Sequence, residues 1–145
     1  MTPKAITKAR ILVIEDNPVD VYLLRRALAD AEVDCELTVI EDGAEAITRV
    51  RRQGNYTGTP IPDLAIVDLN LPKHDGLEVL EAMQSSGAFT QVPVAVLTSS
   101  VSRRDREMAE TLHVSQFITK PPDLQGFLEI GSLLKKLLGH HAGHN

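Results

Sequence analysis

The stretch LAIVDLNLPKHDG, from Leu64 to Gly76, carries the clearest structural signal in this chain of 145 residues. It runs apolar for four residues, stops on the carboxylate of Asp68, and continues into a loop that closes on Asp-Gly. A short apolar run of this kind is typical of a strand buried on both faces. A carboxylate at the end of such a strand costs free energy unless it has a use. The stretch therefore predicts a buried strand with a functional acid at its end.

Further apolar runs alternate with segments of helical period on both sides of this stretch. Five strands are predicted: ARILVIE ending near Glu15, CELTVI ending at Ile40, LAIVD ending at Asp68, VPVAVLT ending at Thr98 and VSQFITK ending at Lys120. Four of the five are apolar enough for burial on both faces. This alternation is the pattern of an α/β fold, a doubly wound parallel sheet covered by helices.

Length and composition limit the possible functions. One domain is predicted at residues 9–138, with a flexible N-terminus at 1–8 and a disordered tail at 139–145. The net charge of −5 and the aromatic content of 3% argue against nucleic-acid binding. The single cysteine and the absence of a long apolar run favour a cytoplasmic protein without a membrane segment.

The residues at the strand ends are the functional candidates, because ligands of open parallel sheets bind outside the carboxyl ends of the strands. These residues are Glu15, Asp16, Asp68, Thr98 and Lys120. Three adjacent carboxylates repel one another unless they are protonated or bridged by a cation, and an all-oxygen set suits Mg²⁺. The sequence therefore predicts a divalent metal site.

The same residues fit phosphoryl transfer to a carboxylate. Asp68 lies centrally enough to attack phosphorus, while Lys120 supplies a positive charge and Thr98 a hydroxyl that binds a phosphoryl oxygen. Such transfer depends mostly on positioning and charge stabilisation. All parts of an aspartyl-phosphate site are present.

Three other classes of protein compete with this interpretation. A flavodoxin-like cofactor binder shares the fold, but the two acids of EDNP would repel a nucleotide phosphate. An aspartyl phosphohydrolase commonly carries a second acid two residues after the nucleophile, where this chain has Asn70. A decoy that never receives phosphate would ordinarily lack Asp16, Asp68 or Lys120, and all three are present.

The segments ILVIEDNP, LAIVDLNLPKHDG, VAVLTSS and FITKP resemble the landmarks of the receiver domain of two-component response regulators, over nearly the whole chain. The resemblance implies the flavodoxin-like receiver fold, a parallel sheet in the order 2-1-3-4-5 with five helices. It also implies a partner histidine kinase that donates the phosphoryl group. The protein would be a signalling protein rather than an enzyme, with slow self-dephosphorylation.

The resemblance assigns a role to each landmark residue. Asp68 would be the phosphoacceptor, and Asp16, Asp68 and the Asn70 carbonyl would ligate Mg²⁺ or Mn²⁺, with Glu15 acting through water. Lys120 would contact the phosphoryl group, and Thr98 would reorient together with Phe117. The bond before Pro121 is cis in many relatives. Two departures are Glu15, where many members carry Asp, and Phe117, where Tyr is common.

A second resemblance points to a particular kind of regulator. The segments EDNPVD and ITKPPDLQGF and the long loop RRQGNYTGTPIPD are similar to stand-alone regulators that accompany phytochrome-type photosensor kinases, so a bacteriophytochrome is one candidate partner. Because the chain ends about one helix after Lys120, no DNA-binding output module is expected. The alternative role is a phosphorelay intermediate or a phosphate sink that passes phosphate to a histidine phosphotransfer protein.

The last helix carries a second apolar line beside its core stripe, formed by Ile130, Leu133 and Leu137. This line is either part of a wide core face or a contact surface. In the receiver family the face built from the fourth helix, fifth strand and fifth helix carries dimerisation and output. A homodimer through these three residues is therefore predicted.

Overall fold

Five parallel strands form one sheet in this computed structural model, which describes residues 8–72, 75–100 and 102–142. The strands are β1 Ala9–Ile14, β2 Cys35–Ile40, β3 Leu64–Val67, β4 Val94–Thr98 and β5 Gln116–Thr119. Their order is β2-β1-β3-β4-β5, and every neighbouring pair is parallel. The predicted α/β fold and strand order are confirmed.

Each strand is followed by a helix, and polar side chains cap four of them. The helices are α1 Pro18–Asp30, α2 Gly43–Val50, α3 Gly76–Ser85, α4 Arg103–Thr111 and α5 Leu124–Ala142. The caps are Asn17, Asp42, Asp75 and Ser102, whose side-chain oxygens accept hydrogen bonds from N–H groups of the first turn. The Asp-Gly pair that closes the opening stretch is thus the start of α3, because Asp75 caps that helix in a capping box with Glu78.

The core consists of two apolar layers, one on each face of the sheet. Alternate strand residues such as Leu12 and Val96 pack with α2, α3 and α4, whereas Val13 and Leu97 pack with α1 and α5. The three central strands are almost fully buried, but both edge strands are only partly buried. The prediction of four strands buried on both faces was therefore wrong by one strand, because β2 and β5 each have a neighbouring strand on one side only.

Helices α1 and α5 are in unusually close contact. A side chain added at Gly131 of α5 would place its Cβ 2.1 Å from the carbonyl oxygen of Ala27 in α1. Only glycine allows the two helix backbones to approach this closely. The rotation of α5 about its own axis is the one that turns Phe127, Ile130 and Leu134 towards the sheet.

That rotation corrects part of the predicted dimer surface. Ile130 is 5% exposed and lies in the core layer beneath α1 and α5, so it is not available to a partner. Leu137 packs partly against the same layer, while Leu133 is half-buried. The wide core face was the correct interpretation for Ile130.

The chain ends of the domain also differ from the prediction. Helix α5 continues to Ala142, four residues past the predicted boundary at Leu138, so the predicted tail begins as helix. Residues 1–7 and 143–145 lie outside the described residues. The peptide bond before Pro121 is trans, since the described part of the chain contains no cis peptide bond.

Candidate functional site

The predicted site residues meet at one edge of the sheet. Asp68 directly follows the central strand β3, and Glu15 and Asp16 directly follow its neighbour β1. The direction of winding reverses between these two strands, because β2 lies on one side of β1 and β3 lies on the other. Ligand sites of doubly wound sheets form at such a reversal.

Three carboxylates form an acidic cluster at this edge. Glu15 and Asp68 are 2% and 4% exposed, whereas Asp16 is exposed. One oxygen from each of the three carboxylates lies within 4.8 Å of the others. The sequence prediction that these acids converge is confirmed.

Lys120 reaches this cluster from the end of β5. Its Nζ lies 3.0 Å from Glu15 Oε1, 3.0 Å from Asp68 Oδ2 and 2.6 Å from Asp20 Oδ2. One largely buried ammonium therefore offsets part of the charge of several acids.

Asp20 was missed as a site residue. It lies in the first turn of α1, where an acid is already explained by the favourable helix dipole. Its spacing of four residues from Asp16 was the available signal, because one helical turn brings residues i and i+4 to the same side.

Burial and charge alter the protonation of this site. The pKa of Glu15 is raised to about 7, mainly because burial disfavours its charged form and also because the Asp68 carboxylate is close. Burial acts to lower the pKa of Lys120, but hydrogen bonds to Asp20, Asp68 and Glu15 outweigh it and raise that pKa. Lys120 is therefore fully charged, and the acidic cluster retains an excess of negative charge that favours a cation.

The local chain path fixes the position of Asp68. Its backbone N–H donates to the Ile14 carbonyl at 3.0 Å, and its Oδ1 accepts from the Asn70 N–H at 3.0 Å. Gly76 at the start of α3 lies against the Asp68 backbone, where an added Cβ would be 2.3 Å from the carbonyl oxygen. Gly76 thus lets α3 begin directly behind the acid.

Thr98 ends β4 and is fully buried. Its Oγ1 accepts a hydrogen bond from the Ser100 N–H at 3.2 Å, and Asn70 Nδ2 lies 3.5 Å away. The Ser100 hydroxyl in turn donates to Asp105 Oδ2 at 2.6 Å, in the first turn of α4. A continuous set of hydrogen bonds therefore joins Thr98 to the start of α4.

Phe117 lies on the same face of the sheet as Thr98, on the neighbouring strand β5. Its ring is half-buried against the core, and the Arg106 guanidinium lies over it at 5.1 Å. A cavity of about 310 Å³ opens beside it, lined by Ser100, Ser102, Arg103, Arg106, Phe117 and Thr119. Both the ring and the loop after Thr98 border open space.

The acidic cluster fits a small divalent cation. Ligand oxygens around Mg²⁺ stand about 2.1 Å from the ion, so two of them lie up to about 4.2 Å apart. The carboxylates within 4.8 Å of each other need only small rotations to reach such an ion. An all-oxygen set of this kind is the one that Mg²⁺ and Mn²⁺ prefer.

Pro121, Leu133 and Leu137 lie outside this cluster. Pro121 follows Lys120 and packs near Gly126, where an added Cβ would be 2.8 Å from the proline Cβ.

Within the described ranges, none of the helices combines the length and apolar character that a bilayer crossing requires.

Comparisons with known proteins agree with this fold. Residues 11–130 match the model of the response regulator receiver domain, and the chain belongs to this family. It is similar to response regulator Rcp1 of Synechocystis sp., with 36% identity over 120 residues that cover 83% of this chain and 82% of Rcp1.

Solved structures of related regulators give the same result. The phosphorylated cyanobacterial phytochrome response regulator RcpA aligns with a TM-score of 0.83 and 36% identity, over 91% of this chain and 94% of RcpA. The Mn²⁺-bound form of Rcp1 aligns with a TM-score of 0.80 and 34% identity, over 88% of this chain and 92% of Rcp1.

These findings establish the class of protein. The chain is a phosphoacceptor response regulator of two-component signalling, and its acidic cluster suits Mg²⁺ or a similar divalent ion. The alternative of a relay intermediate or phosphate sink is not favoured, because the relatives are response regulators.

Proposed function

We propose that Asp68 is the residue that receives the phosphoryl group. It is buried at the end of the central strand, its Oδ2 lies 3.0 Å from Lys120 Nζ, and Glu15 and Asp16 stand beside it. A carboxylate attacks phosphorus effectively when the phosphoryl oxygens are neutralised and held. The convergence of three acids and a buried ammonium on one strand end carries this proposal.

The donor is a phosphohistidine of a sensor histidine kinase. An Asp68 oxygen forms a bond to phosphorus while the phosphorus–nitrogen bond breaks, and the electron pair leaves with the imidazole. The product is a mixed anhydride on Asp68. Lys120 Nζ pairs with one phosphoryl oxygen, and the Thr98 hydroxyl donates a hydrogen bond to another.

The metal ligands follow from the same cluster. Asp16 and Asp68 would hold the ion together with the carbonyl of Asn70, and Glu15 would act on it through water. When bound, Mg²⁺ or Mn²⁺ neutralises charge on the phosphoryl oxygens. The raised pKa of Glu15 supports this assignment, because a cation would restore its charged form.

Phosphorylation changes the hydrogen bonds of Thr98 and thereby the position of α4. When the Thr98 hydroxyl turns to the phosphoryl group, it leaves the Ser100 N–H and Asn70. Ser100, which bonds Asp105, is then free to shift the start of α4. Phe117 turns inward into the space vacated behind Thr98. The phosphorylated form is a shift of population between two such arrangements.

An apolar surface beside the acids suits the kinase. Val19, Tyr22 and Leu124 are 61%, 56% and 50% exposed. Val19 and Tyr22 lie near the start of α1, as Asp20 does, and Leu124 begins α5 shortly after Lys120. Exposed apolar side chains grouped near a reactive residue favour protein contact.

We infer a phytochrome-type kinase, because the similar proteins Rcp1 and RcpA include a phytochrome response regulator. Cys35 is a free thiol, and free thiols are typical of reducing compartments. This supports the cytoplasm as the place where the kinase transfers the phosphoryl group.

A homodimer would use the face of α4, β5 and α5. Leu133 and Leu137 remain the candidate contacts on α5, and β5 is an edge strand that is only half-buried. Half-exposed apolar side chains and a free strand edge favour association. Arg103 and Arg106 at the adjoining cavity would face acidic groups of a partner.

Self-dephosphorylation is expected to be slow. Asn70 lies two residues after Asp68, where an acid would be needed to activate water efficiently. The phosphorylated state would therefore persist long enough to be read by a partner.

Intact-protein mass spectrometry tests the proposal. The wild type, incubated with Mg²⁺ and acetyl phosphate, should gain one phosphoryl group, and a chelator should prevent the gain. Asp68→Asn should gain none, whereas Asp63→Asn, which changes an acid at the opposite end of the same strand, should react like the wild type. Equal modification of Asp68→Asn would refute the assignment.

A further inference from the structure

Two arginines at the end of α2 are held by carbonyl groups instead of carboxylates. Arg49 is 6% exposed, and its Nη2 donates to the Pro60 carbonyl at 2.9 Å. Arg52 Nη2 donates to the Thr59 carbonyl at 3.0 Å. Neither arginine forms an ion pair within the described part of the chain. Two neighbouring positive charges are thus buried or half-buried without a carboxylate partner, and the Arg49 guanidinium lies over the Tyr56 ring at 6.0 Å.

Both guanidinium groups also keep an unused donor. Arg49 Nη1 and Arg52 Nε are buried and have no hydrogen-bond partner among the described atoms. Burial lowers the pKa of Arg49, Tyr56 acts in the opposite direction, and the charge of Arg52 adds to the effect of burial. A buried donor on a charged group is costly when unpaired. Both nitrogens are closed to solvent as they stand, so a ligand reaches Arg49 at the other atoms of its guanidinium group or after a shift of that side chain.

A cavity of about 90 Å³ lies against Arg49, at the end of the sheet opposite Asp68. Its lining comes from β1, β2, α2 and the loop before β3: Arg10, Ile11, Leu12, Glu36, Thr38, Arg49, Pro60 and Pro62. Because a single water needs about 10 to 15 Å³ of such space, the cavity has room for several waters. This is enough for one small tetrahedral ion.

The charges of the lining favour an anion. Arg10 and Arg49 are positive, Thr38 offers a hydroxyl, and Glu36 is the acid of the set. Arg10 and Glu36 are direct neighbours in the β1–β2 register, so the glutamate is placed to balance Arg10. Arg49 forms no ion pair with this glutamate or with another acid in the described part of the chain.

We propose that this cavity binds a small free oxyanion, of the sulfate or inorganic phosphate type, through Arg49 with Arg10 and Thr38. Guanidinium groups are the preferred ligands of such ions because their N–H donors form charge-assisted bonds. The bound ion would join α2 and the loop 51–63 to the first two strands. The site is separate from the phosphoacceptor and does not depend on the function proposed for Asp68.

Side-chain and backbone NMR on the full chain tests this proposal. Sodium sulfate is added at constant ionic strength without divalent metal, and the Arg49 Nε–H and the Thr38 and Arg10 amides are followed. The chemical shifts of these signals should change with sulfate concentration and reach a plateau, whereas the amide signal of Asn70 should not shift. Arg49→Lys should weaken binding about tenfold, because a guanidinium fork is lost. Arg51→Lys, an exposed neighbour, should bind like the wild type.

Two further variants decide between explanations. Glu36→Gln should bind sulfate more tightly, because it removes a competing negative charge. If Arg49→Lys does not fold, Arg10→Gln on the opposite wall should weaken binding instead. Shifts that rise linearly without saturation, or that are equal in the Arg49 and Arg51 variants, would overturn the site. Loss of sulfate binding in Glu36→Gln would also overturn the site. A negative charge that is needed in the cavity would indicate a network of water molecules bonded to Glu36, and not a site for an anion.

Discussion

At the scale of single residues, Lys120 is the group on which the acidic cluster depends. It is the cation that contacts Glu15, Asp20 and Asp68, and its side chain is 12% exposed. Such a buried network is stable only while its charges are balanced. A divalent ion and Lys120 therefore both neutralise the carboxylates of this cluster. Each should contribute more to the stability of the fold when the other is absent.

Lys120→Met should lower the free energy of unfolding by about 3 kcal/mol in metal-free buffer, because it leaves buried carboxylates without their cation. Added Mg²⁺ should recover much of this loss, since a ligand at a hundred times its Kd contributes about 2.7 kcal/mol. Urea unfolding with and without Mg²⁺ measures both effects. Circular dichroism is the suitable probe, because the chain has no tryptophan.

The control for that experiment is Lys136→Met. Lys136 is exposed on α5, and a surface change there should alter stability by less than about 0.5 kcal/mol. A loss in Lys120→Met that is equal with and without Mg²⁺ would contradict the shared electrostatic role.

The sequence was sufficient to predict some of these residues but not others. Asp68 was identifiable because an acid that ends an apolar strand has few structural explanations. Asp20 was not, because a helix start already explains an acid in that position. Its contact with Lys120 joins residues one hundred positions apart, and local pattern contains no information on such a contact.

At the scale of elements, the contact of α1 with α5 determines which side of α5 faces the core. The periodicity of α5 located its apolar residues but could not fix the rotation of the helix, which depends on the close approach at Gly131. For this reason Ile130 was assigned to a surface although it is buried. The strand positions were predictable, because apolar runs and their polar ends do not depend on such contacts.

Gly131→Ala should lower the free energy of unfolding by about 1 to 3 kcal/mol, because its Cβ would overlap the Ala27 carbonyl. Gly139→Ala on the same helix is the matched control, since an added Cβ there meets nothing within 4 Å. It should be neutral or stabilising by up to about 1 kcal/mol through helix propensity. Equal effects of the two substitutions in urea unfolding would contradict the packing described for α1 and α5.

The loop between β4 and α4 is the second element with a testable role. Thr98→Ala should still accept the phosphoryl group. Phosphorylation should then hardly change the NMR signals of Arg103–Thr111, because the variant has no hydroxyl that could move from the Ser100 N–H to the phosphoryl group. Thr98→Ser keeps the hydroxyl and should respond like the wild type. A full shift of the α4 signals in Thr98→Ala would show that the coupling runs by another route.

At the scale of the whole molecule, the parallel direction of all five strands gives the sheet two chemically different ends. The acids and Lys120 lie at the carboxyl ends of the strands, whereas Arg49 and its cavity lie at the other end. The edge strand β5 and the exposed side of α5 form a third region. A contact there is compatible with free access to Asp68.

Light scattering should show a dimer that Leu133→Glu disrupts, because the substitution places a charge on the proposed contact face. Leu124→Glu is the control, since Leu124 is 50% exposed at the start of α5, away from that face. A wild type that is monomeric both with and without phosphorylation would refute the dimer.

The central claim is that the phosphoryl group is carried by Asp68, and peptide mapping after borohydride reduction tests it most directly. Reduction converts a phosphorylated aspartate to homoserine and leaves free carboxylates unchanged, so mass spectrometry identifies the modified position. The account predicts homoserine at position 68 in protein treated with Mg²⁺ and acetyl phosphate. Reduction at Asp16 or Asp20, with Asp68 intact, would contradict it.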